Sequence, residues 1–290
     1  MNIVRYYTIG TFTFSLSCPE ELPVPANMAL FELHELAVSK EQEPYLYTVS
    51  LTKGFPLPSG SPDIIREDMA VWLRNGLETR YLWFHQHRHE GPYACVREED
   101  SRHTAVFIDP RVTEDFLYDT VFLSVLALEK HMIGCDALIL HSAYIVHENR
   151  AILFTAPAGT GKSTQAGLWE KYRGAFQVNG DRTLLQKIGG CWYARGWPVC
   201  GSSEICHNLD TSLYGIVVLS QGEKNEAVRR EAGKAFQEIY PQITVNRWNR
   251  DFQLKAMDLT EALLREIPVY HLSCTISEEA VECLEKVLFP

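Results

Sequence analysis

The sequence predicts an α/β protein in two parts: a small β-rich (α+β) domain over residues 1–110, then an α/β domain over residues 111–290. Three observations predict it. The first 110 residues carry short alternating apolar runs broken by proline, whereas strand and helix periodicities interleave after Pro110. An apolar run enters a small-residue turn and then a helical pattern near residue 160. The length of 290 residues, with 46% hydrophobic and 22% charged, suits about two ordinary folded domains.

In the first part, Thr11-Phe12-Thr13-Phe14-Ser15-Leu16 alternates with a period of two, and residues 45–51 and 81–84 are rich in β-formers. Pro19, Pro23, Pro25, Pro56, Pro58 and Pro62, with Gly54 and Gly60, separate these runs. The expected role is an accessory or substrate-recognition domain. The run His85-Gln86-His87-Arg88-His89 would place three imidazoles on one strand face, a conceivable metal site. With no clear fourth ligand and Arg88 between them, an exposed hairpin edge is favoured.

After Pro110, residues 113–131 show helical spacing and predict one helix closing near Gly134. Residues 137–146 and 151–155 form two apolar runs around the polar turn His147-Glu148-Asn149-Arg150, which predicts a hairpin. A helix over 161–172 follows, then strands over 175–178, 183–188 and 214–219. Helices are expected over 231–240, 251–266 and 278–288, with a strand over 269–274.

Charge narrows the partners. Twenty-seven Lys and Arg against 37 Asp and Glu give a net charge of −10, which argues against nucleic acid and anionic membrane surfaces as partners. No apolar run approaches the ~20 residues of a membrane-spanning helix. The N-terminal residues lack the layout of a signal peptide. The eight cysteines form no C-x-x-C pair, so reduced thiols and a cytoplasmic location are expected, although an even count also permits disulfides.

The stretch that carries chemistry is Ala151 to Thr164. An apolar strand runs into Ala156-Pro157-Ala158-Gly159-Thr160-Gly161-Lys162-Ser163-Thr164 and then a helix, the context that makes G-x-x-x-x-G-K-[ST] a phosphate loop. Main-chain N–H groups and the helix N-terminus would cradle a polyphosphate. Lys162 would reach the β- and γ-phosphates and the Ser163 hydroxyl would ligate Mg²⁺. Ala156 stands where the motif has its first glycine, which is acceptable at negative φ.

Three further features fall nearby in sequence. Asp181, in Val178-Asn179-Gly180-Asp181-Arg182 at a strand end, could ligate the metal, accept a proton from an attacking hydroxyl, or sit in a simple turn. His141 shares a strand face with Ile139 and Ala143, where a histidine alone is more often structural. The segment Gly196 to Cys206, containing Gly201, Ser202 and Ser203, reads as an active-site loop or a plain connection. Arg229 and Arg230 are candidates for charge on the γ-phosphate, with a solvated basic pair favoured.

In that order and spacing, His141, Lys162, Ser163 and Asp181 resemble the HPr kinase/phosphorylase family, whose ATP-binding fold is shared with phosphoenolpyruvate carboxykinases. The loop around Gly201 is similar to one in peptide-modifying relatives, including kinases of lasso-peptide precursors. The family carries two adjacent aspartates where this chain has Asp181-Arg182, so one acid is missing or moved. Arg182 then either contacts phosphate oxygens or lies at the surface. The resemblance implies an ATP- and Mg²⁺-dependent kinase that phosphorylates a hydroxyl, foremost a serine of a peptide or protein. Asp181 would be the base, His141 its partner, and Lys162 and Arg182 the charge on phosphate. Family members often assemble, so a homo-oligomer is compatible with it. A kinase of free serine or a similar small molecule, and a nucleotide-binding protein without transfer, are the alternatives.

Overall fold

Alternating apolar runs in both halves of the chain pair into two large sheets in the computed structural model, which describes residues 1–33, 43–84 and 91–290. The chain divides into two compact units, Met1–Leu128 and Glu129–Pro290. The histidine run 85–89 lies outside the described residues.

In the first unit the described strands are β1 (Asn2–Ile9), β2 (Phe12–Pro19), β3 (Glu32–Leu33), β4 (Tyr45–Leu51), β5 (Ile64–Ile65), β6 (Met69–Arg74), β7 (Leu77–Leu82), β8 (Ala94–Asp100) and β9 (His103–Ile108). Among the described residues they form one sheet in the order β3-β1-β2-β4-β9-β8-β7-β6-β5. This is more strand than the sequence suggests. β8, Ala-Cys-Val-Arg-Glu-Glu-Asp, ends in charged residues that blur its alternation, yet it pairs with both neighbours.

The helix expected over 113–131 is broken. A 3₁₀ segment, Pro110–Leu117, is followed by α1 (Asp119–Ser124) and α2 (Leu128–Gly134). Tyr118 is extended between the first two, and Ala127 has φ of +47° before the third. Tertiary hydrogen bonds decide the outcome: the Tyr47 hydroxyl donates to Leu126 O at 2.6 Å, and Tyr93 and Ser124 share a 2.8 Å bond. The Asn27 amide also donates to Asp119 at 3.3 Å. These contacts hold residues 111–128 to the first sheet, so the change of unit falls after Leu128 and not near Pro110.

The second unit contains β10 (Ala137–His147), β11 (Arg150–Thr155), β12 (Phe176–Asn179), β13 (Arg182–Ile188), β14 (Cys191–Arg195), β15 (Thr211–Gln221), β16 (Glu226–Arg229) and β17 (Val269–Cys274). Its helices are α3 (Lys162–Arg173), α4 (Ala232–Ile239), α5 (Arg250–Glu266) and α6 (Glu278–Leu288). β11, β15 and β17 run parallel, while the other pairings are antiparallel. β10 and β11 form the expected hairpin, with Glu148 and Asn149 at φ of +48° and +58°, the two left-handed positions of a type I′ turn.

Period-two alternation sorts the apolar strands onto two faces. Leu138, Leu140, Leu153 and Ile216 pack with Phe252, Ala256 and Leu263 of α5. Ala143, Ile152, Phe154 and Val217 pack on the other face with Ala166 and Trp169 of α3 and Leu284 of α6. Because helices cover both faces, the central strands read as unbroken apolar runs. In α3 the buried positions Lys162, Gln165, Ala166 and Trp169 recur every three to four residues, the stripe that seats this helix on the sheet. Among the described residues, no helix is long and apolar enough to cross a membrane.

Candidate active site

β10 organises the site. It pairs with β11 on one side, setting Ser142 opposite Thr155, and with both β12 and β13 on the other, setting Tyr144 opposite Asn179 and His141 opposite Arg182. The turn Gly180-Asp181 therefore lies across β10 from the strand that feeds the loop over 156–164. Two bonds tighten the arrangement: Ser142 N donates to Asp181 O at 2.9 Å, and Thr155 Oγ1 donates to His141 O at 2.8 Å. Odd-numbered residues of β10 face α3, so His141 projects on the side of the sheet that carries the loop's helix.

The loop itself curls through left-handed backbone at Gly159 (φ +77°) and at Gly161 (φ +113°), the residue before α3. Only glycine takes such angles at little cost, which is why the motif needs it there. Ala156 is buried, and its carbonyl accepts from Lys162 Nζ at 3.0 Å; Pro157 O lies 3.4 Å from the same ammonium. Lys162 is only 7% exposed. Burial lowers its pKa below the usual lysine range, while the Asp181 charge pulls it back up. The Ser163 hydroxyl donates to Gly180 O at 3.3 Å, so the proposed metal-binding hydroxyl already faces the turn that bears Asp181.

Each Asp181 oxygen faces a cation or an imidazole: His141 Nε2 lies 3.4 Å from Oδ1, and Arg182 Nε lies 3.3 Å from Oδ2. The hydrogen bond from His141 holds the carboxyl below the usual aspartate range; partial burial opposes it, and Arg182 and Lys162 reinforce it. With the folded pKa depressed, ionisation stabilises the native state above the unfolded pKa, and this stabilisation is lost as pH falls through the folded value. Replacing His141 by phenylalanine is expected to raise the Asp181 pKa, read by carboxyl carbon NMR titration. An unmoved titration would remove His141 from this role.

Arg182 also donates to Thr244 Oγ1 at 2.9 Å and is not among the residues lining the cavity. Between the two readings of this arginine, the structure ties it to Asp181 and Thr244. Arg229 and Arg230 line a different hollow, with Glu231, Arg265 and Glu266, and Arg230 Nε pairs with Glu238 at 3.0 Å. They do not line the cavity that holds Lys162 and Asp181.

A cavity of about 330 Å³ collects the site. Its walls are the loop (Ala158, Gly159, Gly161, Lys162, Ser163, Thr164), the turn (Gly180, Asp181), His141, and the segment Cys200, Ser202 and Ser203. The segment around Gly201 thus reaches the cavity that Lys162 and Asp181 also line. Ala156, Pro157, Thr160, Gly201 and Arg182 support the site without lining this cavity. Among the described residues, no three His, Cys, Asp or Glu side chains gather as metal ligands.

Asn179 escaped the sequence reading. It is 1% exposed, and its carboxamide satisfies four partners. Oδ1 accepts from Asp181 N and Arg182 N, both at 2.9 Å, while Nδ2 donates to Trp197 O at 2.8 Å and Val199 O at 3.0 Å. One side chain thereby clamps the Asp181 turn to the loop that follows Trp197. A Cβ on Gly180 would collide with Ser203, so the two segments also pack directly. The available signal was Asn at a strand end before Gly-Asp, which reads equally as a turn. Asn179→Ala is expected to cost about 3–5 kcal/mol in denaturant unfolding, from lost hydrogen bonds and groups left buried without partners. A change within the ~0.5 kcal/mol typical of surface sites would show that the clamp contributes nothing.

No family model matches the chain, and no curated protein matches it. Among solved structures, the chain is similar to the HPr(Ser) kinase/phosphatase from Coxiella burnetii, at 13% identity over 32% of this chain and 70% of that one, with a TM-score of 0.25. The reading of function therefore rests on the residues of the site.

Proposed function

We propose that this chain is a kinase that transfers the γ-phosphoryl group of ATP to a hydroxyl, foremost a serine of a peptide or protein. The observation that carries the reading is one cavity in which the phosphate loop, the buried ammonium of Lys162 and the ionised carboxylate of Asp181 converge. Phosphoryl transfer asks little covalent chemistry of a protein; it asks for in-line positioning and neutralisation of charge on the phosphate oxygens. The loop amides and Lys162 would supply that neutralisation. Bound Mg²⁺ would add to it, and Ser163 and Asp181 are the residues that would hold the ion. A hard cation that keeps several waters needs no larger protein cage.

A depressed pKa makes Asp181 a weak base. That suits a loose transition state, in which the hydroxyl proton leaves late and orientation of the attacking oxygen matters more. His141 and Arg182 would keep the carboxylate charged and aimed, and Asn179 would keep the turn in place. The wall formed by Cys200, Ser202 and Ser203 is where an acceptor would lie.

The deciding experiment measures ADP formation from ATP and Mg²⁺ with serine-containing peptides and, separately, with free serine. Stimulation by peptides supports the reading. Stimulation by free serine alone would assign the chain to small-molecule kinases. Nucleotide binding with no ADP under any acceptor would make it a binding protein.

A further inference from the structure

Building on the phosphotransfer reading, we infer that Ser202 is itself a phosphoryl acceptor, so that the chain modifies its own active-site loop. Ser202 lines the same cavity as Lys162, Ser163 and Asp181. Its neighbour Gly201 lies against the base: a Cβ there would stand 3.1 Å from Asp181 Cγ, and the residue has φ of +57°. The loop thus brings the residue next to Ser202 close enough to the carboxylate that would orient an attacking hydroxyl for a side chain there to touch it.

The two adjacent serines are not equivalent. Ser203 Oγ donates to Cys200 O at 2.6 Å and accepts from Ile205 N at 3.3 Å, so its hydroxyl is committed to holding the loop. Ser202 is exposed to the cavity, and among the described residues its hydroxyl has no hydrogen-bond partner. Left-handed backbone at Gly201 and at Glu204 (φ +56°) brackets the 3₁₀ turn Gly201–Ser203 that presents it. For glutamate that conformation is strained, and the turn retains it.

In the step, Ser202 Oγ forms a bond to the γ-phosphorus of ATP while the bond from that phosphorus to the β,γ-bridging oxygen breaks. ADP departs with the bridging oxygen, and the hydroxyl proton passes to Asp181 and then to water. The product carries close to two negative charges beside Lys162 and the loop amides, the position the next triphosphate needs. Self-phosphorylation therefore competes with a bound acceptor for the γ-phosphoryl group and, without an acceptor, closes the site after one turnover.

The test incubates the full chain with ATP and Mg²⁺ without an acceptor, follows ADP, and maps phosphate by mass spectrometry. The expected result is a burst of about one equivalent of ADP per chain, with one phosphate on Ser202. Ser202→Ala and Lys162→Ala should both remain unmodified. Phosphate on another residue, or an unmodified chain that still phosphorylates an added peptide, would overturn the Ser202 assignment and leave the kinase reading standing. Bound nucleotide with no ADP in either arm, with or without peptide, would bring both down.

Discussion

Lys162→Ala is expected to lower phosphoryl transfer by at least ~10²–10³-fold, the scale of removing one preorganised charge-stabilising donor from an enclosed site. Lys162 is the first residue of α3 and almost wholly buried, and its ammonium donates to the carbonyls of Ala156 and Pro157. Keeping a cation there costs desolvation, which is why its pKa falls. Under the proposed reading, an incoming polyphosphate would repay that cost by offering anionic oxygens in place of neutral carbonyls. The variant should therefore lose nucleotide affinity as well as turnover, read by calorimetry and by ADP release. Lys162→Met, of similar length, separates charge from packing: it should melt close to the parent and be as inactive as the alanine variant. Near-parental turnover in a folded Lys162→Met chain would dismiss the lysine from the reaction.

Asp181→Asn is expected to cut turnover by ~10²–10⁴-fold, the range of general-base loss, with nucleotide binding largely kept. The amide keeps the shape of the side chain and its contact with His141, but it can neither accept the hydroxyl proton nor ligate a hard cation well. Binding should survive because, under the proposed reading, the loop amides and Lys162 would still hold the phosphates. The informative pattern is a fall in kcat at unchanged nucleotide KM; a turnover within about threefold of the parent would place the acid elsewhere. If Asp181 also holds the metal, the variant will need more Mg²⁺ for half-maximal rate, a second readout that a base alone would not move.

Much of the second unit was legible because its strands and helices follow local rules. The strand into the loop, the helix from Lys162, the hairpin at Glu148-Asn149 and the helices α4, α5 and α6 stand within a few residues of where periodicity places them. The first unit was less legible. Its strands mix charged and apolar residues, and several declare themselves only by pairing, as β8 does between β7 and β9. The single helix expected across 113–131 failed for a related reason: helical spacing is there, but the backbone is extended at Tyr118 and left-handed at Ala127, and distant partners such as Tyr47, bonded to the Leu126 carbonyl, hold the segment in that broken path.

For the site, the sequence alone determined the strand, the glycine-bearing loop over 156–164 and the helix from Lys162, because these are contiguous and their conformations are local. It also picked out His141 and Asp181 as groups worth placing, but not their relation. Only the tertiary structure set His141, Asp181 and Ser163 around one cavity, since the register of β10 against β11 on one flank and β12 and β13 on the other decides it. The same pairing exposed the Asn179 clamp, tied Arg182 to Asp181 and Thr244, and sent Arg229 and Arg230 to another hollow. Strand register is fixed by packing of both sheet faces against helices far along the chain, and no window of neighbouring residues contains that information.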